Sequence, residues 1–170
     1  ADPTATETYG NRYVFATLDE HVVSLDTRVD WTFTPRLSLQ LYLQPYIVSG
    51  LYRELKQLHA RKTYDFDVYG GGTGTIAPDS TGGYLIDPDG PGPAAEFSLG
   101  KPDFNFRSLL GNAVLRWEYR PGSVLFLVWQ QNRGGVQSFG DFDFSRDFHA
   151  IFDERPENII AVKATYWLGI

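Results

Sequence analysis

The chain has 170 residues, a formal net charge of −6 and no cysteine. That length gives one domain. The missing thiols exclude disulfides, thiolate metal sites and cysteine nucleophiles, and the acidic balance excludes the basic footprint of a nucleic-acid binder.

Six segments carry strand character, and no apolar run approaches the ~20 residues that a membrane helix requires. The chain opens Ala1-Asp2-Pro3-Thr4 with no signal peptide, as expected of a mature, cleaved or truncated form. Arg12–Leu18 is the first predicted strand, closed by a tight polar connection at Asp19-Glu20. In the second, Val23, Leu25, Thr27, Val29, Trp31 and Phe33 alternate with Ser24, Asp26, Arg28, Asp30 and Thr32. Side chains on a strand point alternately to opposite faces, so this ribbon has one apolar and one charged face. From Val23 to Thr34 it spans roughly 40 Å; a tilt of ~40° leaves about 30 Å, enough for the ~25 Å apolar band of an outer membrane. A soluble sandwich strand shows the same alternation. Pro35-Arg36 then turns the chain, and Leu37, Leu39, Leu41 and Leu43 alternate with Ser38, Gln40, Tyr42 and Gln44.

The first long connection, Ser49–Asp103, has internal signals. Leu51, Leu55 and Leu58 share a helical face and Ser49 offers an N-cap, so a short amphipathic helix is predicted there. The run Gly70-Gly71-Gly72-Thr73-Gly74 reads as flexible, and Asp87-Pro88-Asp89-Gly90-Pro91-Gly92-Pro93 reads as turns. Thr63–Tyr69 is too short to span a membrane. The fourth strand, around Asn105–Tyr119, sets Ala113, Leu115, Trp117 and Tyr119 against Asn112, Arg116, Glu118 and Arg120. Pro121-Gly122 leads into Ser123–Gln131. A second long connection, Asn132–Asn158, includes a predicted small helix at Phe148–Phe152. The last strand puts Ile160, Val162, Ala164, Tyr166, Leu168 and Ile170 on one face and Lys163, Thr165 and Trp167 on the other.

In a meander, both tight turns fall at one end and both long connections at the other, as the short periplasmic turns and longer external loops of outer-membrane barrels do. The expected fold is therefore all-β, an antiparallel transmembrane β-barrel segment of about six spanning strands. It is incomplete on its own, because bacterial barrels start at eight strands and an open edge in lipid leaves backbone groups unpaired. Residues 1–170 read as the C-terminal segment of a single barrel domain, closed by strands of a missing N-terminal region or a separate chain.

Several stretches carry a family resemblance: Thr32-Phe33-Thr34-Pro35-Arg36-Leu37-Ser38-Leu39-Gln40-Leu41-Tyr42, Tyr64-Asp65-Phe66-Asp67, Asp87-Pro88-Asp89-Gly90, and Pro102–Leu109. The longest is Asn112–Ser123, continuing to Val128-Trp129. Together they resemble the end of an uncharacterised outer-membrane β-barrel domain that follows a periplasmic domain similar to family-nine carbohydrate-binding modules. The resemblance implies a bacterial outer membrane, a lipid bilayer and a glycan ligand as partners, and no catalytic residues.

Asp26, Arg28, Asp30, Gln40, Gln44, Asn112, Arg116, Glu118 and Lys163 are the expected lumen-facing residues. Two readings of them stand: a lumen that selects solutes, or an ion-pair network that plugs the interior. A catalytic acid pair is a third, and no catalytic residue is assigned. Tyr69 and Tyr84 are the candidate loop contacts for a glycan. Trp31, Trp117, Trp129 and Trp167 fit an interfacial belt. Asp65, Asp67, Asp79, Asp87 and Asp89 match no calcium-loop spacing and are read as turn residues. His21, His59 and His149 lack ligand spacing and are read as solvated loop residues. No metal and no cofactor is expected.

Overall fold

The computed structural model describes residues 2–72 and 74–169. Among them, after a 3-10 turn at Thr6–Thr8, ten strands and one α-helix follow in chain order: β1 Val14–Ser24, β2 Thr27–Thr34, β3 Leu37–Leu58, β4 Phe66–Val68, β5 Thr75–Pro78, β6 Tyr84–Asp87, β7 Phe97–Leu99, β8 Phe104–Arg120, β9 Ser123–Gln137, α1 Phe144–Asp153 and β10 Glu157–Ala164. The main sheet runs β1-β3-β8-β9-β10, with β2 and β4 also on β3, and β5-β6-β7 form a separate small sheet. Every pairing with a described register is antiparallel. The fold is all-β, and no helix is long and apolar enough to cross a membrane.

The two tight turns lie where proline and glycine put them. Pro35-Arg36 joins β2 to β3, and Pro121-Gly122 joins β8 to β9, with Gly122 at φ 76°. A side chain with a Cβ is disfavoured at that dihedral.

The expected connection at Asp19-Glu20 is absent, because β1 runs straight through it. Asp19 is held by Arg53 of β3 at 3.0 Å, so its charge is paired across strands and does not end one. The interruption falls instead at Leu25-Asp26, inside the predicted Val23–Thr34 ribbon. Even there the Leu25 N–H donates to Pro45 O at 3.2 Å. β1 and β2 thus succeed each other along the same partner, and the main sheet has five positions across, where six strands were expected.

The predicted helix at Ser49–Leu58 is a strand. Lys56, Gln57 and Leu58 pair with Val68, Asp67 and Phe66 on one side, and the Leu58 N–H donates to Tyr13 O on the other. Ladder partners on both edges override a spacing that also suits a helix. Glu54 adopts φ 51°, a left-handed conformation inside the strand that breaks the regular extended backbone between Leu51 and Leu55. The Ser49 side chain caps nothing; it is buried and its hydroxyl has no partner. With β3 reaching Leu58 and β9 reaching Gln137, the long connections contract to residues 59–103 and 138–156.

Two compact units divide the chain. One holds the N-terminal residues through Glu20, Gly50–Phe104 and Ser138–Gly140; the other holds His21–Ser49, Asn105–Gln137 and the chain from Asp141 onward. The first packs Leu55, Tyr69 and Ile86 against Val14, Ile76, Tyr84, Phe97 and Leu99. Its turns are closed by their own carboxylates. Asp79 accepts from the Thr81 hydroxyl and from the Thr81 and Gly83 N–H groups, and Asp87 accepts from the Asp89 and Gly90 N–H groups. The Asp79 carboxyl is held below its ordinary value by the Thr81 hydroxyl and the Gly83 N–H. Of the expected flexible run, Gly70 turns at φ 78° and its N–H donates to Gly74 O at 3.2 Å, while Thr73 lies outside the described residues.

The second unit carries β2, β9, β10 and the adjoining parts of β3 and β8. Its core is Ile47, Leu109 and Ile151, with Val23, Phe142 and Phe148 packed around them. The small helix expected at Phe148–Phe152 is α1, longer at both ends and capped by Asp143, whose carboxylate accepts from the Arg146 N–H at 2.8 Å. His149 lies on this helix and His21 on β1, stacked on Phe142 at 5.3 Å, so neither is a loop residue. β10 begins at Glu157 and ends at Ala164, although Thr165 still exchanges backbone bonds with Val124. Tyr166 and Leu168 therefore lie beyond the strand, and Ile170 lies outside the described residues.

Candidate functional site

Cross-strand register in the second unit assigns each residue to a face. On one face Val29 pairs with Leu41 and Trp31 with Leu39. Ala113 pairs with Trp129, Leu115 with Leu127 and Trp117 with Leu125, and Ile160 and Val162 pair with Trp129 and Leu127. This face is apolar across five neighbouring strand positions and carries no internal cover there: Trp31 is 59% exposed, Leu43 46%, Ile160 69% and Val162 66%. Near the tight turns aromatic rings cluster, with Trp31 stacked on Phe33 at 5.4 Å and Trp117 against Tyr119 at 6.1 Å. Trp167 packs over Gly122 of the turn, where a Cβ would lie 3.0 Å from the tryptophan's own Cβ.

The other face is polar and is built by the alternate residues of the same strands. Arg28 pairs with Tyr42 and Asp30 with Gln40, and Asn112 pairs with Gln130. Arg28, Asp30, Gln40, Tyr42, Asn112 and Val114 line a groove of about 380 Å³. A second groove of about 410 Å³ shares Tyr42 and Asn112 and adds Gln130, Asn132, Glu157 and Ile159. Asp26 accepts hydrogen bonds from the Tyr42 hydroxyl and from Gln44 Nε2, both at 2.7 Å. The Arg28 guanidinium lies over the Tyr42 ring at 5.3 Å. Asn112 Oδ1 is buried and unpartnered at the junction of the two grooves. A carbonyl oxygen in that position is an acceptor awaiting a donor.

Six of the nine residues expected on the charged face thus meet in one neighbourhood: Asp26, Arg28, Asp30, Gln40, Gln44 and Asn112. Arg116, Glu118 and Lys163 take the same face but lie nearer the turns. Arg116 and Glu118 form an ion pair at 3.5 Å, and Glu118 also accepts from the Gly122 N–H at 3.2 Å. Lys163 and Arg116 both stand opposite Phe126. Tyr42 is the residue that sequence reasoning left out of the site, although its parity with Gln40 and Gln44 is the signal that finds it.

Tyr69 and Tyr84 are not free loop aromatics. Tyr69 is only 6% exposed and its hydroxyl donates to Gln57 Oε1 at 3.1 Å; burial pushes its pKa up to about 12. Tyr84 packs half-buried against the same cluster. The Tyr69 ring is therefore not presented for stacking on a sugar. Among the described residues no group of three or more His, Cys, Asp or Glu is placed to hold a metal ion.

A second polar assembly was not legible in the sequence. Asn105, Arg107 and Asp147 are buried between β8 and α1. Asp147 accepts from Asn105 Nδ2 at 3.0 Å, from Arg146 Nε at 2.9 Å and from the Asp143 N–H at 3.1 Å. Arg107 lies 3.9 Å from Asp147 and 3.8 Å from Glu154. Burial works to raise the Asp147 pKa, but the hydrogen bonds from Arg146 and Asn105 outweigh it and hold the carboxyl below its ordinary value. These groups fix α1 on the sheet, and no nucleophile stands among them.

Comparison with known proteins adds a family and nothing closer. No curated protein and no solved structure matches the chain. A family model described as a domain of unknown function matches residues 4–170. The chain therefore belongs to the DUF5916 family.

Proposed function

We propose that this chain is part of an outer-membrane β-barrel, with its apolar sheet face toward lipid and its polar face toward a lumen, and that the role is non-enzymatic passage or surface binding of a polar solute such as a glycan. The observation that carries this is the segregation of faces in register: Val29, Leu41, Leu115, Leu127 and Val162 on one side, and Arg28, Asp30, Gln40 and Asn112 on the other. A sheet this apolar and this uncovered is unsuited to water. From Tyr119 to Leu109 the strand rises about 33 Å, which at a ~40° tilt gives about 25 Å of height and matches an outer-membrane band. The sheet path ends openly in β1 and β10, so closure needs further strands, from the same polypeptide or another. The solute reading draws on the two grooves and the unpartnered Asn112 oxygen between them.

Conductance of the full-length protein in lipid vesicles tests it. Ion or sugar flux, reduced or altered in selectivity by Arg28→Ala, is the expected result. A second reading, a plugged barrel serving as an anchor or scaffold, has its own support in the self-satisfied contacts of Asp26 with Tyr42 and Gln44 and of Arg116 with Glu118. It requires that a properly inserted protein pass neither ions nor sugars.

A further inference from the structure

Helix α1 docks on the apolar face of the sheet. Its Ile151 is seated on Ile47 of β3 and Leu109 of β8. By strand alternation these two residues share a face with Leu41, Leu43 and Leu115. Asp147, on the same side of the helix, fixes its rotation through Asn105 of β8, at 3.0 Å, and faces Arg107 of the same strand at 3.9 Å. Ile151, Asp147 and part of the Phe148 ring are therefore spent on the sheet, and the phenylalanines that flank Phe148 on the helix are not.

Phe148 is the middle rung of a ladder of three phenylalanines at helical spacing, and the outer two are bare. Phe144, Phe148 and Phe152 stack with ring centroids 5.7 Å and 5.6 Å apart, and Phe144 and Phe152 are 54% and 52% exposed. Ser145 and His149 beside this arc, and Arg146 and Asp153 farther round, are solvent-facing. A helix with one apolar arc packed on protein and an adjoining aromatic arc left bare has a second apolar medium to meet.

The neighbouring strand says which medium. Along β9, on the face α1 covers, the residues change from Leu125, Leu127 and Trp129 to Gln131 and Arg133. Trp129 Nε1 and Gln131 Nε2 both donate to Asn158 Oδ1 at 3.0 Å. Arg133 donates to Phe152 O at 3.1 Å and lies over the Phe152 ring at 5.8 Å. An apolar stripe that ends in a tryptophan, then an amide, then an arginine is the profile of a membrane–water boundary. Phe152 sits beside the arginine at that boundary.

We infer that α1 is an interfacial helix, with Phe144 and Phe152 inserted into the headgroup–acyl boundary of the outer surface of the bilayer and Phe148 bridging them to the core beneath the helix. This rests on the lipid-facing reading of the sheet. The helix thereby widens the apolar collar of the protein just where the strands leave the membrane, and the buried Asp147 network keeps the aromatic arc turned toward lipid.

Site-directed spin labelling of the full-length protein in phosphatidylcholine–phosphatidylglycerol vesicles tests the inference. This segment has no cysteine of its own, so with any cysteine elsewhere in the full-length protein replaced by serine, Phe152→Cys, Phe144→Cys, His149→Cys and Leu41→Cys each carry one nitroxide. Depth is read from oxygen against nickel-chelate accessibility. The expected result is Leu41 deep, Phe144 and Phe152 about 5–10 Å into the interface, and His149 in water. If Phe144 and Phe152 are as nickel-accessible as His149 while Leu41 remains deep, the helix is an aqueous cap and only this inference falls. A nickel-accessible Leu41 overturns the barrel reading and the helix assignment with it.

Discussion

Asp147→Asn removes one charge from the interior and leaves its neighbours in place. In the native arrangement the carboxylate receives three hydrogen-bond donors: Asn105 Nδ2, Arg146 Nε and the Asp143 N–H. An amide of the same shape offers one oxygen for them and turns its own N–H₂ toward donors. It also leaves the Arg107 guanidinium, whose side chain is 6% exposed, with Glu154 at 3.8 Å as its remaining ion pair. Breaking a buried pair by removing one partner costs about 3–5 kcal/mol. The lower figure applies here because the Asp147–Arg107 separation is 3.9 Å and Glu154 persists. About 3 kcal/mol is about a hundredfold in an opening equilibrium. Hydrogen exchange of the α1 amides at neutral pH should therefore accelerate by about that factor. Asp141→Asn is the control: it also removes a carboxylate from Arg146, but its side chain is 63% exposed, so it should change exchange by no more than about fivefold. Unchanged protection in Asp147→Asn, or equal acceleration in the control, would refute the claim that the buried network holds the helix.

The same carboxylate gives a pH dependence. Because its folded pKa lies below the ordinary 3.8, its contribution to docking is complete above that value and is lost as pH falls through the lowered one. The protection factors of the α1 amides, taken relative to intrinsic exchange at each pH, should fall selectively in acid and stay flat between pH 5 and 8. On the sheet, Leu41→Arg should destabilise the inserted protein by about 2–4 kcal/mol near the bilayer midplane, whereas Gln40→Arg on the opposite face should be far milder. Urea unfolding from vesicles measures both, and equal damage would sink the facing assignment. A Cβ at Gly140 would overlap Gly50 O and Leu51 Cα, whereas one at Gly72 meets nothing within 4 Å. Gly140→Ala should cost about 1–3 kcal/mol and Gly72→Ala should be nearly silent in a thermal melt.

Strand identity was legible wherever a two-residue period ran undisturbed, as from Leu37 to Gln44 and from Asn112 to Arg120. Both turns were legible because proline and glycine restrict the backbone locally. What failed was local reasoning applied where neighbours decide. Asp19-Glu20 resembles a turn until Arg53 is known to stand beside it. Ser49–Leu58 resembles a helix until the ladders on both edges are seen. The charged face was legible as a face, since parity alone groups Asp26, Arg28 and Asp30. Its grooves were not, because Asn112 and Gln130 reach Tyr42 only through the pairing of strands far apart in sequence. Tyr69 misled for a related reason: a tyrosine beside glycines is exposed in most loops, but this loop folds its own core around Ile86.

The small β5-β6-β7 sheet has a bearing on how the main sheet is assembled. Two hairpins, β2-β3 and β8-β9, close through two-residue turns and can form without waiting for anything distant. Joining them demands that β3 find β8 across residues 59–103, and the entropy of closing a loop grows with its logarithm, about 0.6 kcal/mol for each doubling of length. Pairing Thr75–Pro78 with Tyr84–Asp87, and that strand with Phe97–Leu99, ties up much of the intervening chain before the hairpins meet. Ordering that segment shortens the effective tether between the two hairpins, and so lowers the entropy lost when β3 and β8 pair.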